Sequence, residues 1–154
     1  AAMTVIGNIG RTVEVRGCRF KWDKGLMWIT LPSGRSLCYA TPGIGRNRFG
    51  GDSITYWGIN QTTRKWEKQE TYGGKLVENL SQAIARDCLA HSMLRLAEEG
   101  FKIVMHVHDE VVIEEPYDGK TMDEACRIMG EPIGWAPGLL LRADGYETEY
   151  YKKD

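Results

Sequence analysis

The chain has 154 residues, of which 42% are hydrophobic and 27% are charged. This length and balance are ordinary for one soluble domain or for one lobe of a larger protein. No apolar run approaches the roughly 20 residues that a membrane-spanning helix needs, and no signal peptide opens the chain.

The net charge of −1 conceals a strong asymmetry between the two halves of the chain. Residues 1–75 contain 12 Lys and Arg against 5 Asp and Glu, whereas residues 76–154 contain 8 against 16. A basic half suits a polyanionic partner, and an acidic half suits bound cations. The four cysteines are widely scattered with no CxxC pair, which indicates neither a zinc knuckle nor a disulfide framework and fits a reducing cytoplasm.

The first half predicts a β-meander. After an apolar stretch at 1–9 that is typical of a helix end, short alternating runs follow, separated by glycine-containing turns: TVEV, CRFKWD, LMWITL and RSLCYAT. The segment Pro42–Gly51, with four glycines and two arginines, predicts a mobile basic loop. Two further strands are predicted at Ser53–Asn60 and Lys65–Thr71.

The second half begins with a long helix, predicted over Lys75–Glu99 because this stretch lacks Gly and Pro and is followed by Gly100. Its apolar residues lie on nearly opposite sides early and late in the helix, so we expect different packing partners along its length. A β-hairpin is predicted next, then a capping box at Thr121–Glu124 that starts a short helix, and a strand at Leu139–Arg142. We therefore predict an α+β fold, with a β-rich part at 1–74 and a second part at 75–154 that form one compact protein.

The predicted hairpin has strands at Lys102–Val107 and Val111–Glu115 and an unusual tip, His108, Asp109 and Glu110. Two adjacent carboxylates repel each other and bring no turn preference, so a Mg²⁺-type cation is one explanation and a solvated acidic turn is the other. The histidines at 106 and 108 are expected on one face of a strand, with Asp109 on the other face. A His-x-His pair also allows a zinc or iron site, and hence a small metallohydrolase.

On the helix, Lys75, Glu78 and Gln82 are expected on one face. This face is either solvated or meets a groove. Glutamine has both a donor and an acceptor, so it is able to read the acceptor atoms that every base pair displays in a DNA minor groove.

The helix and hairpin together resemble a known family. The run GGKLVENLSQAIARDCLAHSMLRLAEEGF followed by KIVMHVHDEVVIEEP resembles the C-terminal palm of a family A DNA polymerase, the DNA polymerase I family. His108-Asp109-Glu110 matches motif C of that family. The runs LPSGRSLCYATP, SITYWGIN, KWEKQETYGG and GYETEYYKKD are similar to its phage and prophage branch, which has a β-rich insertion after the fingers.

The resemblance implies specific roles. Asp109 would be one of two carboxylates that hold a pair of Mg²⁺ (or Mn²⁺) ions, with Glu110 as a secondary ligand. His108 would steady the primer end, and Gln82 would contact the minor groove of the nascent pair. Lys75 would meet a DNA phosphate. The family has an asparagine where this chain has Glu78, a residue that is unfavourable beside DNA unless it is paired.

The resemblance also implies a fragment of a complete enzyme. The other metal-binding aspartate and the fingers helix that holds the nucleoside triphosphate are not found in this sequence, which begins about where the fingers would end. The partners implied are primer-template DNA, deoxynucleoside triphosphates and the remaining palm, fingers and thumb, in a bacterial or phage-infected cytoplasm. We therefore predict that the chain alone does not polymerise.

A stand-alone nucleic-acid-binding module is the remaining alternative. The basic half offers cations and aromatic rings for backbone contact and base stacking. The residues in question are Arg46, Arg48, Arg64, Lys65, Lys68, Tyr56, Trp57 and Trp66.

Overall fold

The computed structural model describes residues 1–47 and 49–152 and has the predicted α+β architecture. It forms two compact units: the first is Ala1–Ser81 and the second begins at Gln82. Among the described residues, no helix has the length and apolar content needed to cross a membrane. The elements in chain order are α1 (Ala2–Val5), β1 (Thr12–Val15), β2 (Cys18–Asp23), β3 (Leu26–Thr30), β4 (Ser36–Arg46), β5 (Asp52–Ile59), β6 (Trp66–Thr71), α2 (Gly73–Glu98), β7 (Ile103–Val107), β8 (Glu110–Ile113) and α3 (Met122–Met129).

The first unit is a six-stranded antiparallel meander in which β1 to β6 are neighbours in chain order. The β2–β3 turn shows why the strands reverse so tightly. Lys24 and Gly25 both have positive φ angles, 49° and 77°. This backbone conformation matches the right-handed twist of the flanking strands in a two-residue turn, and glycine adopts it without steric conflict.

One face of the meander forms the core of the first unit. Phe20, Met27, Ile29 and Tyr39 are buried residues of three successive strands, and Val5 of α1 is completely buried. Since side chains alternate along a strand, the intervening residues belong to the opposite face.

The prediction of a loop at Pro42–Gly51 is wrong for the first half of this segment. β4 continues through Arg46, and Gly43 pairs with Thr55 of β5 after a register shift that follows Ala40. Pro42 lies inside this irregularity, which is where a strand tolerates a residue without an N–H group. The described residues of this segment that lie outside the strands are Asn47, Phe49, Gly50 and Gly51.

Helix α2 is confirmed, although it begins two residues before the predicted start and includes both glycines of the Gly73-Gly74 pair. It ends at Glu98, and Gly100, the predicted terminating glycine, has a φ of 80°. The Phe101 N–H donates to the Leu96 carbonyl (2.9 Å) and the Gly100 N–H donates to the Ala97 carbonyl (3.0 Å). These two bonds close the last turn in the manner of a Schellman motif.

Helix α3 begins with the predicted capping box. The Glu124 N–H donates to the Thr121 hydroxyl, and the Thr121 N–H donates to the Glu124 carboxylate (2.9 Å). The strand expected at Leu139–Arg142 is not formed. A strand requires a hydrogen-bonded neighbour, and among the described residues the sheet of the second unit contains β7 and β8 only.

Candidate functional site

The candidate site is the tip of the β7–β8 hairpin. Val107 and Glu110 are the last cross-strand pair, so His108 and Asp109 are the two central residues of the turn. His108 has a φ of 53°, a conformation usually given to glycine in such turns. The sequence therefore places a histidine at a position where a glycine would be less strained, which is typical of a residue kept for its side chain.

This geometry corrects one expectation. His108 is a turn residue, so the alternation of a strand does not place it on one face with His106 of β7. The described residues also contain no group of three or more His, Cys, Asp and Glu side chains placed to hold a metal ion.

The tip is open to solvent. His108, Asp109 and Glu110 are exposed, and their side chains form no hydrogen bond or ion pair with another described residue. Two neighbouring carboxylates without a cationic partner concentrate negative charge at one point of the surface. Their oxygens are the donors that Mg²⁺ prefers, and they provide one side of a coordination shell.

The base of the hairpin is packed, which fixes the tip. Leu96 of α2, Phe101, Ala125 and Ile128 form a buried cluster in the second unit. Three partly buried hairpin residues, Ile103, Val111 and Ile113, pack against this cluster. The acidic turn is thus carried on strands whose inner face is held by two helices.

Polar contacts close the hairpin at its far end from the tip. The Lys102 N–H donates to the Glu115 carboxylate (3.1 Å), and the Lys102 ammonium donates to Glu114. That hydrogen bond raises the pKa of Lys102 and lowers the pKa of Glu114. Both groups therefore remain charged at neutral pH, and they tie the residue before β7 to the residues after β8.

The helix face predicted to meet DNA is divided between the two units. Gln82 is exposed in the second unit and its side chain makes no hydrogen bond with a described residue, so the side-chain amide is free to contact a ligand. In the first unit, the Lys75 ammonium donates to both carboxylate oxygens of Glu78, each at 3.1 Å. This pair neutralises Glu78, the condition under which an acidic residue is tolerated beside DNA, but it also engages the cation expected to bind a phosphate.

Of the two arginines in the predicted loop, the structure describes Arg46 only. Arg46 is exposed at the end of β4, opposite Asp52 in the ladder. Arg48 lies outside the described residues.

Two interactions were not anticipated from sequence. Asn79 of α2 donates to the hydroxyl of Tyr39 (3.2 Å), and burial raises the pKa of Tyr39. Arg95 donates to the carbonyls of Glu131 (3.0 Å) and Pro132 (2.7 Å), which follow α3. Each arises from residues more than 30 positions apart, so no local pattern in the sequence signals it.

The site is an exposed His-Asp-Glu turn on an α+β scaffold, and helix α2 presents a glutamine, Gln82, whose side chain has no partner among the described residues. In the comparison with known sequences, the chain is 51% identical over 139 residues to the DNA polymerase of Bacillus phage SP02. The aligned residues are 90% of this chain and 21% of the phage protein, so the chain spans about a fifth of the relative it matches. No protein-family model and no solved structure matches.

Proposed function

We propose that the chain is part of a DNA-directed DNA polymerase of family A, comprising a β-rich insertion and the C-terminal palm. The observation that carries the proposal is the 51% identity to a phage DNA polymerase over nearly the whole chain. The exposed turn at the end of a packed hairpin supports it, because phosphoryl transfer needs carboxylates that are fixed in position and open to the substrate.

In this proposal, each exposed residue at the tip has a distinct role. Asp109 holds the catalytic cations from one side, and Glu110, the first residue of β8, is a secondary ligand. Bound Mg²⁺ would activate the primer hydroxyl and neutralise the leaving pyrophosphate. His108, held with a positive φ beside the carboxylates, contacts the backbone of the primer end.

Gln82 would contact the minor groove of the nascent base pair. Its amide has no partner among the described residues, and a donor with an adjacent acceptor fits the acceptor atoms common to all base pairs. Such a contact tests the geometry of a pair rather than its sequence. Lys75 and Arg46 would contribute to phosphate binding, with Lys75 doing so as a pair with Glu78.

The proposal includes inactivity of the isolated chain. Asp109 and Glu110 offer one side of a two-cation site, and the sequence motifs for the second aspartate and for triphosphate binding are not found in these 154 residues. The remaining polymerase segments are the partners that would supply them. The purified chain is expected to extend no primer in the presence of Mg²⁺ and deoxynucleoside triphosphates.

A chimera tests the function directly. The chain replaces the homologous stretch of the Bacillus phage SP02 polymerase, and primer extension is measured. We expect an active chimera, and a loss of at least about 10³-fold in Asp109→Ala, since a bound cation contributes several kcal/mol to the transition state.

Asp118→Ala is the matched control, because Asp118 is an exposed aspartate in the turn after the hairpin. It is expected to leave extension unchanged. A folded chimera that cannot extend a primer, or one in which Asp109→Ala keeps full activity, would refute the proposal. Stoichiometric zinc or iron in the purified chain would instead support the metallohydrolase.

A further inference from the structure

The outer face of the first-unit sheet carries residues that packing does not explain. Directly paired residues of an antiparallel sheet share a face. Phe20 with Ile29 and Met27 with Tyr39 are buried pairs and define the inner face. The alternate pairs of the same strands therefore belong to the outer face.

Three of the four tryptophans of this unit lie on the outer face. Trp57 pairs with Lys68, and Trp66 pairs with Ile59, on adjacent strands β5 and β6. Trp57 is 41% exposed and Trp66 is 61% exposed. Trp28 of β3, like Trp57, pairs directly with a lysine, which is Lys21 of β2.

The inner face uses its aromatic residues differently. Tyr56 makes an edge-to-face contact with Tyr39, with ring centroids 5.0 Å apart. Tyr56 is therefore part of the core packing and is not available for stacking, contrary to the sequence-based alternative. The outer tryptophans make no ring contact with any described residue.

The surroundings of these tryptophans are basic. Residues 1–81 contain 12 Lys and Arg against 6 Asp and Glu. Besides Lys68, which neighbours Trp57, the turn between β5 and β6 adds Arg64 and Lys65, both exposed, beside Trp66. Glu70 is the acidic residue of β6 on the same face, and it lies two residues after Lys68, opposite Thr55.

We infer that the outer face of the β5–β6 hairpin is a stacking platform for single-stranded nucleic acid. Unpaired bases stack on Trp57 and Trp66, while Lys68 and the turn cations bind the phosphates. The two tryptophans are diagonal neighbours, which puts them roughly 7–8 Å apart, within reach of nearby bases of one strand. A duplex conceals the faces of its bases, so the platform selects single strands.

This inference concerns the first unit and does not depend on catalysis by the hairpin tip. Binding of fluorescein-labelled 12-mers to the 154-residue chain is measured by anisotropy. The three probes are oligo(dT), an abasic strand of equal charge, and a 12-base-pair duplex. We expect oligo(dT) to bind at least about 5-fold more tightly than the abasic strand, because stacking needs a base.

Substitutions then locate the binding. Trp57→Ala and Trp66→Ala are each expected to weaken oligo(dT) binding roughly 5- to 150-fold and to leave abasic-strand binding nearly unchanged. Trp57→Phe should restore part of the loss. Lys68→Ala should weaken binding of both strands and reduce the salt slope by about 0.7. Tyr117→Ala, which removes a fully exposed aromatic ring of the second unit, is the control and should have no effect.

Three results would overturn the inference. They are equal affinity of the unsubstituted chain for oligo(dT) and the abasic strand, tighter binding of the duplex, and unchanged oligo(dT) binding in the Trp57→Ala, Trp66→Ala double variant. A dimer of the chain that this double variant abolishes would assign the face to a second copy instead. The comparison of strands needs no substitution, so it decides the question even if a variant fails to fold.

Discussion

Arg95 is expected to contribute more to the stability of the second unit than any exposed charge of that unit. Its guanidinium donates to two backbone carbonyls, those of Glu131 and Pro132, and its side chain is only 24% exposed. Arg95→Ala leaves both acceptors without their charged donor. At about 1.5–3 kcal/mol for each hydrogen bond to a charged group, and with partial rescue by water, we expect a loss of about 2–4 kcal/mol.

Arg127→Ala provides a matched control, because Arg127 also contacts Glu131 but through the side-chain carboxylate. Arg127, in the last turn of α3, contacts the Glu131 carboxylate at 2.7 Å, and its side chain is 65% exposed. An exposed pair with this spacing contributes only about 0.3–0.5 kcal/mol. Arg95→Lys should fall between the two, because an ammonium cannot reproduce the planar fork that reaches two carbonyls.

The assay is urea unfolding followed by ¹⁹F NMR of fluorotryptophan-labelled protein. Trp135 is the one tryptophan in the sequence after Ser81, so its signal reports on the second unit. Equal losses in Arg95→Ala and Arg127→Ala, or an Arg95→Lys variant as stable as the unsubstituted protein, would refute the reasoning.

Four further predictions use the same unfolding assay. Leu96→Ala, in the buried cluster, should cost about 3 kcal/mol, whereas Leu94→Ala, at a side chain that is 64% exposed, should cost less than about 0.5. The Thr121 N–H lowers the pKa of Glu124, so the charged carboxylate stabilises the fold above its unfolded pKa of about 4.3 and this contribution is lost as the pH falls through the folded value. The Glu124→Gln variant should therefore be less stable than the unsubstituted protein at pH 7 and equally stable near pH 2. A difference in the free energy of unfolding that persists near pH 2 would contradict the stabilising role of the Glu124 carboxylate. Thr121→Ala should cost about 1 kcal/mol at pH 7, and an unchanged stability would show that the capping box is not formed in solution. His108→Gly should stabilise the hairpin by about 0.5–1 kcal/mol, because glycine adopts its positive φ without strain, and any loss of stability would argue against that backbone conformation.

The elements with strong local signals were predictable from the sequence. Helix α2 has a long stretch without Gly or Pro that is followed by Gly100, and α3 begins with a capping box. The C-terminal end of α2 and the N-terminal end of α3 are therefore encoded by nearby residues. The hairpin at 103–113 follows from two apolar runs around a polar tip. Only its turn conformation, with a positive φ at His108, contradicts the expected strand alternation.

Features that depend on distant residues were not predictable in this way. Pro42 and the glycines around it are typical of a loop, yet pairing with β5 continues β4 to Arg46. Leu139–Arg142 has a strand-like composition, but no partner strand is present among the described residues. The candidate site was located by its unusual residues and by resemblance, whereas the pairing of Lys75 with Glu78 required the structure.

The two-stranded sheet β7–β8 has a consequence for the behaviour of the protein in solution. Each strand has one hydrogen-bonded neighbour among the described residues, and Val104 and Met105 of β7 are exposed. An unpaired strand edge with apolar side chains is a template for pairing with another chain. Concentrated solutions of the isolated chain should therefore self-associate through β7, and a lysine at Val104 should keep it monomeric.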